Sequence, residues 1–526
     1  MRYTAFLLTI VLTAGFATAG ALTSIWWWAP LVVLVPGSLL GCWDLLQTRH
    51  SLMRNYPLAA RLRWLFEEIR PEIRQYFVES DIDGSPFSRN SRALVYERAK
   101  NTHEEKPFGT ELEVYDLGYE WFVHSIAPRP QSEKPFKVTV GGPDCTQPYD
   151  MALLNVSAMS FGALSGNAIG ALNKGAWMGG FAHDTGEGGL TKYHLEHGGD
   201  LVWEIGSGYF GCRTPEGKFD LETFREKAGH PAVKCISIKL SQGAKPGLGG
   251  VMPAAKVTAE VAKFRGVPEG VKCISPPYHT AFDSPRSLLD FVQSLREASG
   301  GKPTGFKLCI GRESEFLSVC KAMMEREIYP DFIIIDGSEG GTGAAPQEFE
   351  DHVGTPLTEG LHFAHNALVG CGLRERIKIG CSGKVNSSFE MAKRIAQGAD
   401  YCNAARAMMF AIGCIQAQRC HTNTCPVGVA TQDPKRTRAL VVEDKAQRVY
   451  HFQQNTVADF QKLIAALGLD NPSELDPTML MKRVTETTTR SYAELYEYLK
   501  PHELLTGTAP TRWETVWQQA SADRFR

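Results

Sequence analysis

The chain has 526 residues, of which 43% are hydrophobic, and a formal net charge of −2 from 56 Lys and Arg against 58 Asp and Glu. This length allows one large core and a smaller appended region, and no low-complexity tract or short repeat predicts disorder or a solenoid. The nearly balanced charge gives no reason to expect nucleic acid as a partner.

The first 47 residues form a segment almost without charge. No Asp, Glu, Lys or Arg lies between Arg2 and Asp44, which is enough for two helical membrane spans of about 20 residues each. Tryptophans at 26–28 predict an interfacial turn, and arginines after residue 48 predict that both ends face the cytoplasm. A cleaved signal peptide and a buried core hairpin are the alternatives. We expect a two-helix anchor in the cell membrane, with the catalytic domain in the cytoplasm.

The remaining chain divides into three regions by composition. Residues 48–140 are rich in Arg and Glu and then turn polar, which predicts a helical connector that packs against the catalytic domain. Residues 141–440 alternate short apolar strands with amphipathic stretches. Residues 441–526 predict a C-terminal helical extension.

Eight candidate strands in the central region predict a closed parallel barrel. Alternating strands and helices imply a parallel sheet, and eight such units imply a (β/α)8 barrel. The loops that follow nearly every strand carry residues suited to chemistry, whereas an open sheet would concentrate them at one switch point. The strands are Ala152–Val156, Gly180–His183, Val202–Ile205, Lys234–Leu240, Gly305–Ile310, Asp331–Ile335, Ile377–Gly380 and Asp400–Ala404.

The loops after the seventh and eighth strands predict a phosphate site. Loops at these two positions commonly bind phosphate in this fold, and small residues let backbone N–H groups approach the anion. A lysine within the apolar fifth strand, Lys307, must face a polar group, either a flavin ring or an internal carboxylate. The loop residues are Ser382, Gly383, Lys384, Ala404, Ala405 and Arg406.

Three cysteines follow the barrel at a spacing that differs from the other ten. Most of the thirteen cysteines are scattered singly through apolar runs, as is typical of buried free thiols in a reducing compartment. Cys414, Cys420 and Cys425 cannot share one helical face, so the chain must leave its helix if they converge. Convergent thiolates indicate an iron–sulfur cluster, with a zinc site or three unrelated thiols as alternatives.

The segment from Cys414 to Gln432 resembles the [3Fe–4S] signature of glutamate synthases. The resemblance extends in order over about residues 150–435, through Met159–Ser165, Thr185–Gly189, Lys239–Gly247, Ile274–Pro277 and Gly340–Ala344. It implies an FMN-binding synthase barrel that transfers a hydride to 2-iminoglutarate formed from ammonia and 2-oxoglutarate. It also implies that a cluster relays electrons to the flavin from an external donor, such as a ferredoxin-like protein or a reductase subunit.

The resemblance assigns roles to individual residues. Lys239, Gln242, Lys245 and Arg265 are expected to line the 2-oxoacid pocket, and Glu187 and Lys245 to be catalytic. Cationic side chains suit a dicarboxylate, and proton transfer to the amine needs a positioned acid. The cluster ligands are the three cysteines. The expected cofactor-binding residues are Ala158, Met159, Ser160, Lys307, Gly340, Gly341, Thr342, Gly343 and the six residues of the two phosphate loops.

Two positions depart from the family pattern, with Leu248 in place of a glutamate and Val251 in place of a glutamine. Both replacements remove polar groups near the substrate. We see no amidotransferase domain, and no G-x-G-x-x-G that opens a helix after a strand, as a nicotinamide site would require. Ammonia or an amine and the electrons are therefore expected from outside. The alternatives to glutamate synthesis are an FMN enzyme that makes or oxidises an N-substituted amino acid and a non-catalytic, membrane-tethered electron-transfer module.

Overall fold

A computed structural model describes residues 2–102 and 105–525. The chain separates into two compact units, Met1–Arg89 and Asn90–Arg526. The region predicted as one connector, 48–140, is therefore divided between the two units.

The first unit is helical. Two stretches, Thr4–Leu22 and Ile25–Leu46, are long and apolar enough to cross a membrane, with mean hydropathies of 2.0 and 1.7, and little of either is buried. Its elements are α1 (Thr4–Leu22), a 3-10 turn (Ile25–Trp28), α2 (Leu31–Leu46), α3 (Ser51–Asn55), α4 (Ala59–Ile73) and a π-helical turn (Arg74–Val78).

One buried carboxylate joins the end of α2 to the start of α4. Asp44 is fully buried and accepts hydrogen bonds from the backbone N–H of Leu58 at 3.0 Å and from Nε and Nη2 of Arg61 at 3.1 and 2.6 Å. A paired carboxylate costs far less to bury than an isolated one. Arg61 therefore balances the charge of Asp44 within the same unit.

The second unit contains a closed barrel of eight parallel strands, which confirms the predicted fold class. Going around the barrel, the strands follow chain order, and the last closes on the first. The barrel strands are β4 (Leu154–Val156), β5 (His183–Asp184), β6 (Leu201–Ile205), β7 (Val233–Lys239), β10 (Thr304–Leu308), β11 (Phe332–Asp336), β12 (Lys378–Ser382) and β13 (Tyr401–Ala404).

A hairpin of β2 (Lys137–Val140) and β3 (Tyr149–Ala152) packs against the amino-terminal end of the barrel. Val140 and Met151 are buried in one cluster with Phe332 and Tyr401, which begin their strands. The backbone N–H of Gly142 donates to Asp331 at 2.7 Å. The hairpin therefore closes the amino-terminal end of the barrel, and a ligand site is expected at the opposite, carboxyl-terminal rim.

Helices surround the barrel and continue beyond it. Amphipathic segments such as α10 begin at a serine cap and bury their apolar face against the strands. The helices are α5 (Arg89–Lys100), α6 (Gly166–Gly179), α7 (Lys192–Leu195), α8 (Leu221–Ala228), α9 (Ala259–Arg265), α10 (Pro285–Ala298), α11 (Glu313–Arg326), α12 (Gln347–His352), α13 (Leu357–Gly370), α14 (Ser388–Ala396), α15 (Arg406–Ala411), α16 (Pro434–Thr437), α17 (Val442–Ala466), α18 (Tyr492–Leu495), α19 (Glu503–Thr506) and α20 (Thr511–Gln519).

The C-terminal region differs from the helical extension predicted for it. Two of its strands, β14 (Leu480–Arg483) and β15 (Thr489–Ser491), form an antiparallel sheet with β1 (Glu120–Phe122). A further short pair, β8 (Val251–Met252) and β9 (Cys273–Ile274), lies in the long connection between β7 and β10.

Candidate functional site

Most of the predicted site residues lie in loops at the carboxyl-terminal rim of the barrel or on the strands that lead to it, whereas Arg265 ends α9 and Arg406 begins α15. Lys239 is the last residue of β7, and the 158–160 and 340–343 segments follow β4 and β11. Ser382 ends β12, and Ala404 ends β13. The fold thus gathers loops that are up to 250 residues apart in the chain.

The four predicted substrate-site side chains gather around the predicted catalytic residue Glu187. Nζ of Lys239 lies 2.8 Å from Oε1 of Glu187 and also donates to Oε1 of Gln242. The charges of Arg265 and Lys245 act on the same carboxylate. Three cations around one anion leave a surplus of two positive charges, which suits a ligand that carries two carboxylates.

The charges of this cluster shift two pKa values in opposite directions. Burial alone would raise the pKa of Glu187, but the charges of Lys239, Arg265 and Lys245 outweigh it and lower that pKa to about 2. Burial lowers the pKa of Lys245 to about 8, although Glu187 opposes this shift. Glu187 is therefore ionised before substrate binds. A bound anion that engaged the same cations would raise its pKa toward the range of a proton donor.

The loop that carries Glu187 packs tightly against the loop after β4. Gly186 has φ +64°, and a Cβ there would lie 2.7 Å from the backbone nitrogen of Ser160. Nη2 of Arg265 donates to the hydroxyl of Ser160 at 3.2 Å and to the carbonyl of Phe161 at 3.3 Å. Glycine at position 186 thus permits a close approach between the two backbone segments.

The segment carrying both departures from the family pattern, 245–251, lies against Glu187. Nζ of Lys245 donates to the carbonyl of Gly249 at 2.8 Å. A Cβ on Gly250 would lie 2.5 Å from Oε1 of Glu187. Leu248 and Val251 therefore stand on either side of a backbone stretch that touches the pocket.

A hydrogen-bonded chain behind Lys239 was not predicted from the sequence. The hydroxyl of Tyr209 accepts from the backbone N–H groups of Thr280 and Ala281, each at 3.0 Å. Its own proton is then available to Nδ1 of His279 at 3.2 Å, which leaves Nε2–H to donate to the carbonyl of Lys239 at 2.9 Å. The chain fixes the end of β7, where Lys239 enters the pocket.

The predicted phosphate loops bring cations together. The guanidinium of Arg406 covers Gly341 so closely that a Cβ there would overlap it. Burial lowers the pKa of Lys384, and the charge of Arg406 lowers it further, so the two cations are close enough to repel each other. The backbone N–H of Thr342 donates to Glu350 at 3.2 Å. Two adjacent cations, Lys384 after Gly383 and Arg406 at the start of α15, are chemically suited to a phosphate.

Lys307 has an internal partner, so its burial does not require a flavin ring beside it. It is buried and forms an ion pair with Glu204. Burial would lower the pKa of Lys307, but Glu204, Asp184 and Asp336 outweigh it and raise that pKa. Burial and the charge of Glu204 raise the pKa of Asp184 to about 8. A role in cofactor binding stays a prediction for Lys307.

The cysteine segment leaves its helix, as the spacing required. After α15 ends at Ala411, the chain runs without a regular element until α16, and Gln416, Gln418 and Asn423 adopt positive φ angles. Burial, together with the charges of Cys420 and Cys425, raises the pKa of Cys414 to about 12. The three thiols are therefore close enough to act on one another electrostatically.

The surroundings of the three thiols fit an anionic cluster in charge, although no metal geometry is formed. Lys256 and Arg406 act on Cys420 electrostatically. A Cβ on Gly343 would lie 3.0 Å from Cβ of Cys420, so this segment touches the loop after β11. Within residues 2–102 and 105–525, no three His, Cys, Asp or Glu side chains are arranged to hold a metal ion. All thirteen cysteines have free thiols.

Comparisons with known proteins identify the family. The conserved region in glutamate synthase matches residues 145–470. The glutamate synthase large subunit-like protein YerD of Bacillus subtilis is 38% identical over 81% of this chain and 88% of its own length. The archaeal glutamate synthase [NADPH] of Methanocaldococcus jannaschii is 36% identical over 61% of this chain, and the match spans only 60% of the archaeal protein.

Among solved structures, a mutant flavocytochrome b2 with pyruvate bound aligns with 88% of this chain and 97% of its own, at 10% identity and a TM-score of 0.42. That likeness is too low to bear on the site. The family match covers the whole barrel and the cysteine segment, which confirms the resemblance read from the motifs. The chain belongs to the glutamate synthase family and is an oxidoreductase of that type.

Proposed function

We propose that the protein is an FMN- and iron–sulfur-dependent, glutamate-synthase-like enzyme that reductively aminates 2-oxoglutarate or a similar 2-oxoacid. The observation that carries the proposal is the cluster of Lys239, Lys245 and Arg265 around Glu187 at the barrel rim. Its surplus of two positive charges matches a dicarboxylate. The names of the relatives in Bacillus and Methanocaldococcus support the same reaction.

The residues of the chain divide the work of the reaction. The cations bind and orient the two carboxylates, and their engagement raises the pKa of Glu187. Glu187 can then accept a proton from the incoming ammonium and later donate it to the forming amine. Gln242 and the hydrogen bonds that run from Tyr209 to the backbone of Lys239 hold the side-chain ammonium group of Lys239 in position. Burial of these groups excludes water from the reacting carbon.

FMN and a [3Fe–4S] cluster are the proposed cofactors. Lys384 and Arg406 would hold the FMN phosphate, with the 158–160 and 340–343 loops beside it, and Cys414, Cys420 and Cys425 would ligate the cluster. When bound, FMN would supply a hydride, and the cluster would supply electrons from an external donor. The amine source is free ammonia, another amine or a partner subunit.

We also propose that α1 and α2 anchor the protein in the cell membrane, with the barrel in the cytoplasm. Their length, mean hydropathy and exposure support this proposal. Sodium carbonate extraction of membranes from expressing cells tests it, since an inserted hairpin stays in the pellet.

The activity test uses the purified full chain under anaerobic conditions. Absorption and paramagnetic-resonance spectra should show a flavin and a three-iron cluster, and the cluster signal should disappear in Cys420→Ser. Chemically reduced protein with 2-oxoglutarate and ammonium should form glutamate. Lys245→Met should lose activity, while the surface variant Arg225→Gln should keep it. No product with any 2-oxoacid would overturn the proposed reaction.

A second candidate reaction uses an alkylamine and yields an N-substituted amino acid. It is favoured by the apolar residues Leu248 and Val251 on the segment that touches Glu187. Comparing ammonium with methylamine and ethylamine separates the two reactions. If the pocket selects an alkylamine, Val251→Gln should shift the preference toward ammonium, and an unchanged preference would exclude this role for Val251.

A further inference from the structure

An amphipathic face runs along α4 in the first unit. Positions three and four apart form a stripe of exposed apolar side chains, each between 37% and 58% exposed. A stripe this wide is normally covered in a soluble domain. Its members are Leu62, Leu65, Phe66, Ile69 and Ile73.

Arginines line one edge of the apolar stripe. At 100° per residue, Arg63 and Arg70 fall together beside Phe66, and so does Arg74, the first residue of the π-helical turn after α4. All three are exposed, and Arg74 also pairs with Glu79 at 3.0 Å. A surface cavity of about 410 Å³ lies along this edge, lined by Arg63, Phe66, Glu67, Arg70 and Ile73. The only acidic residue lining it, Glu67, is 3.8 Å from Arg63, so two arginines face one carboxylate there.

The start of α4 is fixed close to the end of the second apolar helix. Asp44, near the end of α2, binds Leu58 and Arg61 at the first turn of α4. If α1 and α2 span the membrane, this junction places α4 where the chain leaves the bilayer. A helix with an apolar stripe and an arginine edge at that position matches an interfacial helix, whose apolar side sinks among acyl chains while arginines reach phosphates.

We propose that α4 lies in the cytoplasmic leaflet and that Arg63, Arg70 and Arg74 bind the phosphates of anionic phospholipids. Charge complementarity and continuity with the apolar hairpin favour a lipid surface over a protein partner. The inference rests on the proposed membrane anchor and is independent of the proposed reaction.

The test is hydrogen exchange of residues 59–78 in the full chain, reconstituted in nanodiscs. Discs of phosphatidylcholine are compared with discs containing 30% phosphatidylglycerol. An arginine near an anionic surface strengthens binding about fivefold, so three should slow exchange about 100-fold in the anionic discs. Arg63→Gln/Arg70→Gln/Arg74→Gln should remove the difference between the two lipids.

A matched control removes the same charge elsewhere. Arg225→Gln/Arg490→Gln/Arg512→Gln changes three exposed arginines of the second unit and should keep the lipid dependence. Thermal unfolding of each variant checks the fold, and carbonate extraction reports hairpin insertion separately. The proposal would be overturned by equal exchange rates in the two lipids, or by an equal loss of lipid dependence in the control variant. It would also be overturned if protection were already complete in detergent, or if protection needed two copies of the protein per disc.

Discussion

Binding of a 2-oxo dicarboxylate is expected to weaken as the pH rises above 8, because Lys245 then loses its proton. Burial lowers the pKa of Lys245 from 10.5 to about 8, which corresponds to about 3 kcal/mol against the charged form. A bound carboxylate would restore the charged form, so binding above pH 8 must take up one proton. The dissociation constant should then rise about tenfold per pH unit from 8 to 10.

The effect of Glu187 on the pKa of Lys245 provides a second test of this pH dependence. Glu187 raises the pKa of Lys245, so Glu187→Gln should lower it and move the onset of weakening below pH 8. Lys245→Arg keeps a charge throughout and should abolish the pH dependence. Calorimetric titration with 2-oxoglutarate in the absence of ammonia measures each constant. A dissociation constant that is flat from pH 7 to 9.5 in the unmodified protein would refute the assignment.

Three further changes should alter the stability of the barrel, each measured by urea unfolding in detergent. Lys307→Met leaves Glu204 buried without its cation and should lower the free energy of unfolding by about 3–5 kcal/mol. Adding Glu204→Gln should recover part of this loss, and no recovery would contradict the pairing. Tyr209→Phe leaves two backbone N–H groups without an acceptor and should cost about 1–3 kcal/mol, whereas an unchanged midpoint would show that the hydroxyl is dispensable. Gly186→Ala combines a positive φ with a 2.7 Å contact and should destabilise by more than 1 kcal/mol, an expectation that an equally stable variant would disprove.

The barrel could be predicted because each strand ends in its own loop signal. All eight strands were located, but the second was expected at Gly180–His183 and is found at His183–Asp184. Gly180 instead ends α6 in a left-handed conformation. Apolar residues around a helix end and a short buried strand look alike in one sequence.

Long-range pairing outside the barrel could not be predicted. β1 pairs with β14 across about 360 residues, and no local pattern marks either strand as the partner of the other. The same holds for the chain from Tyr209 through His279 to Lys239. By contrast, Glu187, Lys239 and Lys245 could be predicted to lie together because each belongs to a family motif, and Arg265 followed from the same resemblance. The fold brings the four residues together.

The surplus positive charge of the pocket has a practical consequence for measuring the enzyme. Phosphate, sulfate and citrate from a purification buffer carry the charge that these lysines and Arg265 are arranged to receive. Because the groups are buried, dissolved salt screens them only weakly. Such ions would compete with substrate, so an affinity measured in phosphate buffer would be too low. A zwitterionic buffer with chloride as the added salt is the better choice.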